Sequence, residues 1–484
     1  MQRRDFLALA GSAFPIALMA EAPGSARAVG SSVESLEHRL AAYALAVRFE
    51  DLPPEAVSSA KRIVLDTLAC ALAAVGSEAA VIAEKTVRES FGPGSNATVF
   101  GSAKRATIEG AVLVNGILVR SLDLNDTYLG TEPLHPSELL PIALAIGEDR
   151  RCSGQDFIAA LVTGYEASAR ITDVISFMQR GFHPLCSMSY AAPLVAGRLW
   201  GLKATEIANA VGLSAARGYT SFVVNSGSIS MMKAMGFAAS ALDAILVTRL
   251  AANGFTGPTG TLEWFAARAN TPQASIEVDL EPTRMRLLKV ALKRFPIQIE
   301  LAAVAEAGIK LSSRLRGRAS DIRAIRVETY PGIIERVADA SKFRPETRGT
   351  ADHSLPVCLA MALLDGDVSL AQFEKDRWRE GDVIRLVQQT TVSPSTALMA
   401  KFPNGRGAVV EVQMQDGASI RETVEVPEGD ARRPLSLASL QAKFMSAAIP
   451  VLGAAGSERV LAQVGALDRL PDIRDLARAL AKPG

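Results

Sequence analysis

The sequence predicts a mainly α protein built as one large multihelical domain and one smaller α+β domain. Two observations carry that reading. Apolar residues recur at helical intervals from Ser32 almost to Lys289, and beyond Lys289 apolar alternation appears in IRAIRVETY and in GAVVEVQMQDGASIRETVEV. In the second of those segments Asp416-Gly417 separates two alternating runs, a strong hairpin signal.

Taken in order, Arg3 and Arg4 precede Phe6-Leu7, a mildly apolar run and Ala26-Arg27-Ala28. That order predicts a twin-arginine signal over residues 1–28, hence export to the periplasm. The run Leu7 to Ala20 falls short of the roughly 20 apolar residues that span a bilayer, so no stable membrane insertion is expected after cleavage.

The helical domain is assigned to 33–285. SLEHRLAAYALAV and EAVSSAKRIVLDTLACALAAVG are amphipathic, with Asp51 and Pro53-Pro54 marking a helix start. A short β-like piece at Ala97 to Phe100 and a helix near Thr107 to Val119 follow. Abundant Ala and Gly through YAAPLVAGRLWGL and ATEIANAVGLSAA let helices pack closely, and a further helix is expected over Ser230 to Ala252. The α+β domain is assigned to 286–432, with helices at Ile297 to Leu311, Ser354 to Leu364 and Lys375 to Gln388. The last helical stretches, Leu435 to Ala448 and Ser457 to Leu470, fit either domain, so 434–482 could complete the first.

Composition narrows the function. The 484 residues carry a formal charge of +1 and are 49% hydrophobic, which gives a large core but no cationic field for nucleic acid. Cys70, Cys152, Cys186 and Cys358 stand far apart, without the spacing of a zinc or iron–sulfur site, so cofactor-free chemistry is the default expectation.

The reactive side chains gather in a few punctuated segments. Ser121–Ser137, SLDLNDTYLGTEPLHPS, reads as an ordered loop that turns its side chains inward. It reads equally as a plain helix connection in which Asp126 or Thr127 caps a turn and His135 is structural. Gly181-Phe182-His183-Pro184 and Met231-Met232-Lys233-Ala234 each put one basic side chain at a helix start, where a carboxylate is well held. Taken singly, His183 reads as a packed core histidine and Lys233 as a solvated lysine. Lys293-Arg294-Phe295-Pro296 and Ala351-Asp352-His353-Ser354-Leu355 complete the set. Of the four histidines, only His38 lies in a plain amphipathic helix.

On these residues the chain resembles the MmgE/PrpD family, which includes 2-methylcitrate dehydratase, cis-aconitate decarboxylase and iminodisuccinate epimerase. The likeness rests on SLDLNDTYLGTEPLHPSELLP, RGFHPLCSMSYAAPLVAGRLWGL, SGSISMMKAMGFAASA, ALKRFPIQIE and TADHSLPVCLAMALLDGDV in family order. It implies a helical domain, an α+β lid, a homodimer, and an interdomain site that handles a small carboxylate without metal or organic cofactor. Carried over, it places Asp123 and Thr127 in the loop, His135 and His183 beside the substrate, and Lys233 and Lys293 against its carboxylates. Arg294 and His353 join Asp123 and Thr127 as expected substrate-binding residues. Two positions depart from the family pattern, Val357 for a tyrosine and Ala302 for a histidine, and predict a reshaped site. The resulting expectation is a lyase, a dehydratase of the 2-methylcitrate type. Decarboxylase or epimerase chemistry, or an exported binding protein without turnover, are the alternatives.

Overall fold

The computed structural model describes residues 34–268, 277–281, 284–401 and 405–482. The twin-arginine stretch lies outside them. Two hydrophobic cores organise the rest. The first runs from Leu36 to Leu292 and takes in Leu435 to Leu480, so the last helices pack with the helical part. The second runs from Phe295 to Val424.

In the first core the helix Pro54–Ala73 starts on the expected proline and buries every residue from Ile63 to Leu72. The helix Ile108–Arg120 is capped by Thr107, whose hydroxyl accepts from the Gly110 N–H at 3.1 Å. It crosses Met232–Ala252 at Gly116, where a Cβ would lie 2.8 Å from that of Ala238. That close approach fixes the distance between Arg120, at the end of one helix, and Lys233, in the first turn of the other.

Met232–Ala252 and Leu437–Gly465 are long and apolar enough to cross a membrane. The first buries one face against the bundle and leaves Met235, Leu246 and Leu250 exposed, and the second breaks at Gly453, whose φ of 70° and ψ of 168° are not helical. The expected pair of C-terminal helices is thus present, the two meeting at the break at Gly453 and followed by a short turn, Leu467–Arg469.

The second core packs Ala302–Leu315 and Leu355–Asp365 against a four-stranded sheet. Ile322–Thr329 lies between a parallel neighbour, Thr390–Pro394, and an antiparallel one, Ala408–Met414. The hairpin to Ser419–Val424 turns at Asp416-Gly417 as predicted, with Gly417 at φ 87°. The helix expected over Lys375 to Gln388 is confined to Gly381–Gln388. Asp376 takes a left-handed φ of 49° that breaks the α-helix, Arg377–Arg379 forms one 3-10 turn, and Arg377 bonds Asp365, Glu380 and Asp382.

One small sheet was not anticipated. Thr127–Leu129 pairs antiparallel with Pro133–Leu134 on one side and with Val290–Ala291 on the other. That pairing brings Lys293, just beyond Ala291, against the Asp123 loop.

Candidate active site

The loop after Arg120 turns inward, as its composition suggested, and Asp123, Asn125, Asp126 and Thr127 are all buried. Asp123 has a φ of 51°, a left-handed backbone that costs a non-glycine residue about 1–2 kcal/mol. The conformation points its carboxylate at three cations. Arg120 forms an ion pair with Oδ1, Lys233 Nζ lies 3.3 Å from Oδ1, and Lys293 Nζ lies 3.2 Å from Oδ2. Lys293 also donates to the carbonyls of Asp123 at 2.9 Å and Ile297 at 3.2 Å. His353 Nε2 stands 4.0 Å from Asp123 Oδ2, and its Nδ1 bonds Asp352 Oδ1 at 2.5 Å.

Burial and charge set the protonation of these groups. Burial alone would raise Asp123, but Lys233, Lys293 and Arg120 together hold it well below the usual carboxylate range. Burial lowers Lys293 to about 8 against the pull of Asp123, and lowers Lys233 in the same way. Glu138, 3.5 Å from Arg120 Nε, is pushed by burial up to about 8, so it is largely neutral at pH 7. Three cations therefore face the carboxylates of Asp123 and Asp352, and the excess positive charge favours an anionic ligand.

The histidines are neutral. Burial, reinforced by Arg120 and Lys293, holds His135 well below its usual value. Its Nδ1 lies 2.6 Å from the Asp126 carbonyl, so that nitrogen carries the proton and Nε2 offers a lone pair. Burial, with Arg120 and Lys233, lowers His183 to about 3. His183 Nδ1 accepts from the Leu185 N–H at 3.2 Å, which leaves its proton on Nε2, 3.0 Å from the Asn225 side-chain amide. Turning that amide so that its oxygen accepts from Nε2 also satisfies Asn225 Oδ1, which otherwise lacks a partner.

Asp123, His135, His183, Lys293 and His353 line one cavity of about 60 Å³. Lys233 joins them through Asp123 and through His353 Nδ1 at 3.4 Å. A larger hollow of about 970 Å³ lies along Leu437–Gly465 and includes Arg294, but the titratable cluster is in the small one.

Two expected substrate ligands are taken elsewhere. Arg294 stands at a bend, pairs with Glu428 at 2.6 Å and lies over the Phe295 ring, whereas Lys293 reaches Asp123. Thr127 is fully buried, its hydroxyl 3.3 Å from His135 Nδ1, so it packs against the histidine and does not line the cavity. The two departures lie outside the cavity. Val357 belongs to the second core, and Ala302 borders a second small hollow that Lys293 and Arg406 also line. Reading the sequence placed Asp352 in a reactive segment without a role, and missed Arg120, Asn225, Gln298, Glu300 and Arg336. An arginine closing the apolar run ILVR three residues before Asp123 was the one available signal.

Asp123, Asp352 and His353 have donor atoms close enough to hold a metal ion. Lys233 Nζ, however, stands 3.3, 3.8 and 3.4 Å from donor atoms of those three residues. An ammonium already serves that donor set, with two more cations near it, so the residues do not fit a dication.

A family model described as the MmgE/PrpD N-terminal domain matches residues 38–271, and one for the C-terminal domain matches 295–469. The chain belongs to the MmgE/PrpD family. A cis-aconitate decarboxylase of Aspergillus terreus (strain NIH 2624 / FGSC A1156) is 27% identical over 466 residues, covering 90% of this chain and 93% of that protein. The cis-aconitate decarboxylase of Homo sapiens is 23% identical over 447 residues, covering 89% and 92%. A 2-methylcitrate dehydratase of Cupriavidus necator is 26% identical over 421 residues, covering 80% and 84%. Within the MmgE/PrpD family, these relatives are lyases.

Proposed function

We propose that this chain is a lyase that needs neither metal nor organic cofactor and dehydrates a small hydroxy-polycarboxylate of the 2-methylcitrate type. The observation that carries this reading is a neutral His135 with an available Nε2, lining the same cavity as Lys293, Arg120 and Asp123, with Lys233 behind Asp123. A substrate carboxylate held by Lys233 and Lys293 acidifies the carbon beside it, since negative charge developing there is drawn onto a carboxylate flanked by cations. His135 Nε2 takes the proton from that carbon. The electron pair of the broken C–H bond forms the double bond as the C–O bond breaks, and the hydroxyl leaves as water with a proton from Lys293, whose value near 8 suits an acid at neutral pH.

Decarboxylation is the second reading, favoured because relatives named cis-aconitate decarboxylase match 90% of this chain against 80% for the dehydratase. There the C–C bond to a carboxylate breaks, carbon dioxide leaves, and the same acid protonates the carbon. The test is to incubate the purified protein in deuterated water with 2-methylcitrate, citrate and cis-aconitate, following double-bond absorbance, carbon dioxide and deuterium uptake. Water loss from the hydroxy acids supports dehydration and carbon dioxide release from cis-aconitate supports the second reading. Deuterium exchange without either product points to isomerase or epimerase chemistry. Binding with no exchange and no product would make the protein a carboxylate-binding protein.

Export through residues 1–28 to the periplasm is proposed as well, on the order of Arg3-Arg4 and the apolar run. A homodimer is proposed on the exposed Leu437 and Ile449 of the last long helix, and sedimentation of the mature chain tests it.

A further inference from the structure

The cavity holds one more cation, outside the Asp123 cluster. Arg336, in the helix Pro331–Val337, lines it together with Asp123, His135 and Lys293. Its guanidinium donates through one terminal nitrogen to Glu300 Oε2 at 2.5 Å, while its Nε is buried and has no hydrogen-bond partner.

Glu300 is well supplied without that remaining N–H. Its carboxylate accepts from Gln298 Nε2 at 2.7 Å, from the Tyr330 hydroxyl at 2.8 Å and from Arg406 at 3.2 Å. Burial would raise it, yet Arg336 and Arg406 outweigh burial and keep it ionised. The Glu300 carboxylate thus anchors Arg336 by one corner. A guanidinium held this way, with the Nε–H beside it unsatisfied, presents the side-on fork that grips a carboxylate through two parallel bonds. A purely structural ion pair tying Pro331–Val337 to Ile299–Leu301 gives no reason for a buried N–H left without an acceptor.

We propose that Arg336 binds a second carboxylate of the substrate, the first being held by Lys233 and Lys293, and that Glu300 is its positioning residue. The inference rests on the carboxylate-lyase reading of this site and adds the group that selects polycarboxylates over monocarboxylates.

Binding of butyrate, succinate and tricarballylate is measured by calorimetric titration at constant ionic strength for the wild type, Arg336→Met and Arg336→Lys. In the wild type at least one of the two polycarboxylates is expected to bind about tenfold to a hundredfold more tightly than butyrate. Arg336→Met should reduce that ratio to about threefold or less while leaving butyrate binding unchanged, and Arg336→Lys should keep part of it. An unchanged ratio in Arg336→Met overturns the inference and leaves the carboxylate reading standing. Equal weakening for all three acids, with a lowered melting temperature, overturns it in favour of a structural ion pair. Failure of the folded wild type to bind any of the three overturns both.

Discussion

Replacing Asp123 by Asn removes the negative charge at the centre of the cluster and little else, because the side chains are nearly isosteric and Asn tolerates the left-handed backbone at this position. At 3.2–3.3 Å and an effective dielectric near 20, each lysine contact represents about 5 kcal/mol of gross attraction. Most of that offsets desolvation, but breaking a buried pair from one side leaves uncompensated charge and costs about 3–5 kcal/mol. The variant should be less stable than the wild type by that amount at pH 7. Asp123 is held below its ordinary value, so its contribution is complete above about pH 4 and is lost only as acid brings the pH down through the depressed value. Lys293 works in the opposite sense. Burial lowers it to about 8, so its charged form weighs on the fold below that pH and relaxes as the pH climbs toward about 10.4. Above pH 8 the wild type therefore loses one partner of Asp123, and the gap to the variant should narrow. Urea denaturation at pH 7 and pH 9, with and without citrate, measures this, and citrate should restore part of the lost stability by taking the place of the missing carboxylate. A difference under about 1 kcal/mol at pH 7, or a gap that widens toward pH 9, would refute the electrostatic account.

Three further outcomes are expected. His135→Asn should lower kcat by about a hundredfold to ten-thousandfold with a smaller change in affinity. His183→Asn should cost less, since both its ring nitrogens are engaged by Leu185 and Asn225; steady-state kinetics giving the reverse order would reassign the base. The kcat/KM profile should show no fall near pH 6.5, because both histidines are held neutral, and should decline near pH 8 as Lys293 loses its proton. Lys293→Arg should move that alkaline limb upward, and a limb that stays in place would exclude Lys293 as its source. For export, a reporter fused to residues 1–30 should remain cytoplasmic when Arg3 and Arg4 are both changed to Lys, and periplasmic delivery of that variant would end the twin-arginine assignment.

Much of the architecture was legible because burial imposes a period on the sequence. The helix expected over Ser230 to Ala252 is Met232–Ala252, and Asp416-Gly417 turns the hairpin it announces. Of Lys375 to Gln388 only Gly381–Gln388 is α-helical, and Arg377 before it draws Asp365 and Asp382 into a knot of ion pairs. The sheet joining Thr127–Leu129 to Val290–Ala291 left no trace, since strands this short carry no periodicity and their pairing spans much of the chain. In the site, Asp123, His135, His183, Lys233, Lys293 and His353 stood out as polar residues in punctuated segments between apolar helices. Arg120 and Arg336 did not, because an arginine near a helix end ordinarily reads as a solvated charge. Arg294 is adjacent to Lys293 in sequence, but a bend begins there and Glu428 takes its guanidinium.

The placement of Lys233 shows how far the fold departs from what stability alone would select. It stands in the first turn of Met232–Ala252, where the helix dipole disfavours a cation, and it is buried as well. Lys293, 2% exposed, and Arg120 repel it from close range, and burial lowers both lysines. The contact at Gly116 and Ala238 keeps the two helices from easing apart to relieve that repulsion. Asp123, itself in a costly backbone conformation, is the anion that makes the arrangement tolerable in the free protein. A ligand carboxylate entering the cavity meets cations that are already positioned and already desolvated, so binding a substrate and stabilising the fold draw on the same unmet charge.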